Sequence, residues 1–219
     1  MRMRRVLCFV AMSAVLTGCL ARGPGTAVPY PPHVAAIPVT MPATAPAIAQ
    51  QFIPVTPTGQ PGHMGIDVAD ATGTPVIAAA PGVVTISLYE PAYGNRIVID
   101  HGKDATGRRV QTLYFHLAAR QAEVGQRVAR GAPIGTLGET GLLSSYPHLH
   151  FEYHREVEPG ARVRSGNNWW QGMVQEDPNG NWVDGPGRVT CFRGQTAPAD
   201  KITYPVVCRG SSSPGLTAP

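Results

Sequence analysis

Between residues 62 and 155, apolar positions recur in short runs of period two, and no run keeps a 3.6-residue period over ten residues. Six stretches read as strands: 75–80, 82–89, 96–100, 109–116, 133–137 and 148–154. They are punctuated by Glu90-Pro91, Tyr93-Gly94-Asn95, His101-Gly102 and Arg130-Gly131, residue pairs and triplets that turn the chain. Residues 117–124 have room for a turn or two of helix and no more. The pattern therefore predicts an antiparallel, all-β core over residues 62–155.

The ends of the chain read differently. Arg2, Arg4 and Arg5 precede an apolar run over residues 6–16 that is too short to span a bilayer, which is the pattern of an export signal over residues 1–18. The run ends in Leu16-Thr17-Gly18-Cys19, which resembles a bacterial lipobox. That resemblance implies cleavage before Cys19 and anchoring to a lipid bilayer through acyl chains on its thiol and amino group. Residues 19–61 carry a proline every few positions and almost no charge, so the expectation there is a tether. Residues 156–219 hold Asn167-Asn168-Trp169-Trp170, Trp182, Cys191 and Cys208, and are expected to form a small loop-rich extension with a disordered tail.

Charge and cysteine count sharpen this division. The formal charge is +4, but three of the 18 basic residues lie in the signal, leaving 15 against 14 acidic residues. No basic stripe interleaved with aromatics remains, and a nucleic-acid partner is excluded on that ground. Of the four cysteines, Cys8 leaves with the signal and Cys19 is committed to lipid. Cys191 and Cys208 are then expected to pair in an oxidising compartment.

Candidate chemistry sits in two clusters. In a strand, residues i and i+2 share a face, so His148 and His150 project side by side while Leu149 and Phe151 point the other way. An isolated His-x-His would also suit an ordinary half-exposed strand. The second cluster, Gly62-His63-Met64-Gly65-Ile66-Asp67, changes the balance by offering an imidazole and a carboxylate four residues apart. Zinc accepts both donor types, and a catalytic zinc takes three protein ligands with one position open. There is no His-Glu-x-x-His motif to supply a carboxylate base, so proton transfer falls to imidazole, whose pKa of about 6.5 suits neutral pH.

The sequences GHMGID (62–67), TLYFHL (112–117) and PHLHFE (147–152) resemble, in order and spacing, those of the lysostaphin/LytM-type zinc endopeptidases. The similarity extends to TPVIAAAPGVV (74–84), YGNRIVIDHG (93–102) and VGQRVARGAPIGTLGETG (124–141), and covers about residues 62–154. It implies a compact antiparallel β-sandwich with a groove across one sheet, one zinc ion, and peptide bonds of bacterial peptidoglycan as substrate. Carried over position by position, it implies His63, Asp67 and His150 as zinc ligands and His116 and His148 as the catalytic imidazoles. His148 is assigned as the base toward water and His116 as donor to the oxyanion, and the two roles are exchangeable. Ser144-Ser145-Tyr146 stands where the family often has a glycine before the proline, which implies a reshaped groove wall. Some relatives have lost the metal site and dock onto other wall hydrolases as activators, which makes cell-wall enzymes the alternative partners. All five site positions are filled here, and an enzyme is expected. Leu20 in place of an aspartate after Cys19 points to the outer membrane, facing the periplasm. Among the other polar residues, His154 is expected to be solvated at a strand end and His101 to be a turn residue. Glu152 is expected either to orient an imidazole or to be exposed, and His33 to play no part.

Overall fold

The computed structural model describes residues 37–54, 62–160 and 172–210. The expectations for the signal, Cys19, Trp169, Trp170 and the C-terminal tail fall outside these residues. The strands are β1 (Ala47–Gln50), β2 (Ile66–Ala69), β3 (Pro75–Ile77), β4 (Gly82–Glu90), β5 (Gly94–Lys103) and β6 (Arg109–Leu117). They continue with β7 (Ala119–Arg120), β8 (Arg127–Val128), β9 (Pro133–Thr136), β10 (His148–Glu156) and β11 (Met173–Glu176). Among the described residues the only helical turn is a 3-10 turn at Pro178–Gly180. Every strand ladder is antiparallel.

The large sheet runs β1-β2-β10-β6-β5-β4-β8, with β11 also paired to β10. β2 pairs with residues 148–151 of β10 and β11 with residues 153–156, so the two lie end to end along one side of it. A three-stranded sheet, β3-β9-β7, packs against the large one. Val76 and Ile134 from the small sheet share a core with Ile97, Ile99, Tyr114, Leu149 and Phe151 from the large sheet. This is the all-β class that the alternating pattern predicts.

Strand β10 shows why the alternation was readable. Leu149, Phe151 and Tyr153 face that core and are fully buried. His148, His150, Glu152 and His154 occupy the opposite face, and they too are buried. Pairing with β2, β6 and β11 satisfies the edges of β10, while its polar side chains are buried against one another and their neighbours, His150 against Asp67 and Phe115 and both His150 and His154 against Glu152.

Three expectations are corrected by packing, and the one for the C-terminal extension is met and extended. Residues 37–54, expected in the tether, are built into the fold: Ile48 is fully buried and β1 forms an edge of the large sheet against β2. The C-terminal extension is loop-rich, yet it is continuous with the core, since Trp182, Ile202, Tyr204 and Val206 join the same cluster. The Cys191–Cys208 disulfide closes it, with the Cα atoms 6.0 Å apart. Residues 117–124 form no helix; the backbone amides of Gln121 and Ala122 bond to the Ile134 carbonyl, and Ala119–Arg120 pairs with β9. His101 lies within β5, not in the turn, and is buried, with Nδ1 donating to the Pro81 carbonyl at 2.9 Å and Nε2 bonded to the Thr112 hydroxyl at 2.8 Å.

Candidate active site

Asp67 on β2 lies directly opposite His150 on β10 in the antiparallel ladder. His63 precedes β2 and is paired through its backbone with Ile53. The close approach of this segment to β10 depends on Gly65: a Cβ there would stand 2.2 Å from the Phe151 carbonyl oxygen. Three side-chain atoms consequently converge. Asp67 Oδ1 lies 3.1 Å from His63 Nε2 and 2.8 Å from His150 Nδ1, and the two nitrogens are 3.1 Å apart.

The other ring nitrogens show what these atoms carry. His63 Nδ1 donates to the Gln51 carbonyl at 2.8 Å, and His150 Nε2 donates to Glu152 Oε1 at 2.9 Å. Each ring therefore presents a lone pair inward when neutral. Two lone pairs and a carboxylate meeting at these distances need a cation or an extra proton among them. The same neighbours favour positive charge at this point: burial opposes charging His150, yet its bonds to Asp67 and Glu152 raise its pKa to about 10. Burial also opposes ionisation of Asp67, and hydrogen bonds from His150 and His63 nonetheless hold its carboxyl far below the usual range. Two imidazoles, one carboxylate and room for a further ligand fit a zinc ion.

Beside this trio lie His116 and His148, with ring centroids 4.8 Å apart. His148 shares the face of His150 by strand parity. His116 does not follow parity. Tyr114 and Leu117 face the core while Phe115 lies against His150, so simple alternation would send His116 inward with Tyr114. Between Ile97↔Tyr114 and Asn95↔Leu117, however, β6 carries one residue more than β5, a β-bulge. His116 has φ 61°, the one positive value for a non-glycine among the described residues, and this turns its ring to the site. Both Nδ1 atoms donate to backbone carbonyls, His116 to Thr140 at 2.8 Å and His148 to Tyr146 at 2.7 Å. Both Nε2 atoms are left for the cleft. Burial lowers the pKa of His116 to about 4 and also lowers that of His148, so both are neutral acceptors at neutral pH. His148 Nε2 is 3.8 Å from Asp67 Oδ1, which sets it beside the metal locus.

Residues 61–166 match Peptidase family M23. The chain carries a peptidase M23 domain. Over 97 residues it is 42% identical to the peptidoglycan DD-endopeptidase ShyC of Vibrio cholerae, an alignment that covers 44% of this chain and 21% of that protein. The catalytic domain of lysostaphin from Staphylococcus simulans is 28% identical, with a TM-score of 0.44 over 58% of this chain and 85% of that one. A zinc-containing peptidase from Vibrio cholerae is 35% identical, with a TM-score of 0.43 over 53% of this chain and 35% of that one. The chain spans about a fifth of the length of the curated relatives it matches.

All five expected site residues of the M23 domain meet in one cleft of about 320 Å³, whose walls include Gln50, Tyr93, Leu143 and Tyr146. Three further groups were not legible from motif or spacing. Tyr146 stacks on His148 with centroids 4.4 Å apart and brings its hydroxyl to 3.4 Å from Asp67 Oδ2, so the departure before Pro147 reshapes the site and not only its wall. Gln51 orients His63 from outside the M23 match. His154, expected to be solvated, is fully buried and its Nε2 contacts Glu152 Oε2 at 2.5 Å. Glu152 thus lies between two imidazoles; burial opposes its ionisation, but the bonds from His150 and His154 lower its pKa to about 2. Of its two expected states, the orienting one is found.

Proposed function

We propose that this chain is a zinc-dependent endopeptidase that hydrolyses stem-peptide cross-links of bacterial peptidoglycan. The observation that carries the reading is the convergence of His63 Nε2, Asp67 Oδ1 and His150 Nδ1 beside two neutral imidazoles that keep Nε2 for the cleft. His63, Asp67 and His150 would hold the metal. When bound, zinc lowers the pKa of water toward ~7 and polarises a scissile carbonyl. His148 Nε2 then accepts a proton from the attacking water, while the bond from Nδ1 to the Tyr146 carbonyl keeps the ring aimed and stabilises the imidazolium. His116 turns Nε2 to the cleft and is assigned as donor on the oxyanion side; because burial keeps the ring neutral at neutral pH, it would act there only after taking up a proton from water as substrate binds, while the Tyr146 hydroxyl donates to Asp67 Oδ2.

Location follows the same reading. The domain acts in cell-wall remodelling from a lipid anchor on Cys19, on the periplasmic side of the outer membrane, with residues 20–36 as the spacer. Mass spectrometry of the mature N-terminus is expected to find an acylated Cys19; a soluble protein beginning after that residue would remove the anchor from the reading.

The activity is tested by incubating zinc-loaded protein with purified peptidoglycan and counting newly released amino termini. His148→Ala is expected to retain zinc while losing ~10²–10⁴-fold in rate. If wild-type protein releases no termini yet stimulates a partner hydrolase as well as His148→Ala does, the chain is a docking activator and the enzymatic reading fails.

A further inference from the structure

The group that orients His63 comes from outside residues 61–166, and it is held in turn by the C-terminal extension. Imidazole presents Nε2 to a metal only in the tautomer that keeps its proton on Nδ1, and an acceptor for that proton fixes both tautomer and ring orientation. For His63 the acceptor is the Gln51 backbone carbonyl. Gln51 directly follows β1, an edge strand of four residues, so its position depends on what anchors it from beyond the sheet.

The anchor is a buried amide chain. Gln51 Oε1 accepts from Nδ2 of Asn179 at 2.9 Å, a contact that joins residues 128 apart in sequence. Asn179 lies in the 3-10 turn of the extension and is fully buried. Its Oδ1 accepts from the Trp182 indole at 3.1 Å, while Nδ2 also donates to Asp177 Oδ1 at 3.0 Å. The Asn179 carbonyl accepts from the Gly187 amide, and the Gly187 carbonyl accepts from the Thr40 amide, which ties the same turn to the start of the N-terminal segment. A buried polar chain with each member bonded specifies one arrangement, because any displacement leaves a desolvated group unpaired.

We propose that Asn179, acting through Gln51, is a positioning residue for the zinc ligand His63, so that the C-terminal extension is a working part of the metal site. The proposal rests on the reading of His63 as a ligand. Its consequence is that residues 61–166 alone hold all three metal donors but lack the support that sets the His63 tautomer.

The test measures zinc affinity by chelator competition for the wild type, Asn179→Ala, Gln51→Met and Gln51→Glu, each at a temperature where circular dichroism shows the zinc-free protein folded. Nitrogen-15 spectra of the His63 ring in the zinc-free proteins report its tautomer directly. Asn179→Ala and Gln51→Met leave the Gln51 carbonyl in place but free it to move, and are expected to weaken zinc binding several-fold, up to the ~10–100-fold cost of losing a ligand's direct supporting partner. Both are expected to replace the single Nδ1–H form of His63 by a mixture. Gln51→Glu keeps the side-chain acceptor for Asn179 and is expected to bind zinc close to the wild-type level. Where Asn179→Ala does not fold, Gln51→Met carries the test. Wild-type protein that takes up no zinc defeats the proposed function itself. Normal wild-type uptake with undiminished affinity in the folded variants overturns this inference alone, as does an affinity loss that leaves the His63 tautomer unchanged.

Discussion

The positive φ of His116 makes an unusual demand: at this position glycine should be more stabilising than alanine. Elsewhere in a strand the order is reversed, since glycine loses more backbone freedom on folding. Comparing His116→Gly with His116→Ala isolates the backbone. Both variants lose the ring and its bond to the Thr140 carbonyl, and both keep the backbone amide that donates to Tyr93 O. What differs is that alanine places a Cβ at φ 61°, which costs roughly 1–2 kcal/mol. Against this, alanine regains about 0.4–1 kcal/mol through a less flexible unfolded chain. The net expectation is that glycine is favoured by about 1 kcal/mol, or roughly 2–4 °C in melting temperature for a chain of this size. Urea unfolding of the zinc-free variants measures the difference. Both variants are expected to lose peptidoglycan hydrolysis, because neither supplies an imidazole. An alanine variant as stable as the glycine variant would refute the claim that the β6 bulge is held at backbone cost to present His116.

Three more outcomes are expected. Glu152→Gln keeps an acceptor but loses the charge between His150 and His154, and zinc affinity in chelator competition is expected to fall ~10–100-fold; unchanged affinity would remove Glu152 from the support of His150. Replacing both Cys191 and Cys208 by serine opens a crosslink with a sequence separation of 17, which the chain-entropy estimate values at about 3 kcal/mol in urea unfolding. His101 gives a pH signature: burial lowers its folded pKa to about 4, below the ordinary unfolded value, so its neutral form is the native one. Above the unfolded pKa it contributes no pH dependence. Between that value and pH 4 the unfolded chain binds a proton that the native state refuses, and about 3 kcal/mol of stability is lost. His101→Gln is expected to flatten this slope, and unfolding curves at pH 7 and pH 4.5 that keep the wild-type difference would refute it.

What was legible in the sequence follows the range of the interactions involved. Period-two alternation fixed the faces of β10, because parity is a local property that pairing along the strand edges leaves unchanged. It placed His148 and His150 together without further help. His116 was reachable only through the family resemblance, since the bulge that redirects it depends on how many residues β5 sets opposite β6. Composition misled at residues 37–54: a proline-rich, uncharged stretch reads as a tether, yet the buried side chain of Ile48, the β1–β2 ladder and bonds such as Tyr204 Oη to the Pro46 carbonyl bind it into the fold. His154 was misread for a related reason. Proximity to a strand end suggests solvent, but β11 pairs with that end of β10 from beyond residue 160.

The division between what resemblance supplied and what it missed has a physical basis. A metal-binding motif records the atoms that donate, and these fall within short segments because a turn or a pair of strand positions suffices to aim them. The atoms that fix those donors face no such restriction. Glu152 is two residues from His150 and could be weighed from sequence, whereas the acceptor for His63 is 12 residues before it and its anchor is 128 residues beyond that acceptor. Removing the N-terminal segment or the extension would therefore leave every family motif intact while disturbing the metal site. Because Ile48 of β1 and Trp182, Ile202, Tyr204 and Val206 of the extension share the core cluster, such a truncation is also expected to destabilise the sheet, and substitutions at Gln51 and Asn179 separate the effect on the metal site from that loss.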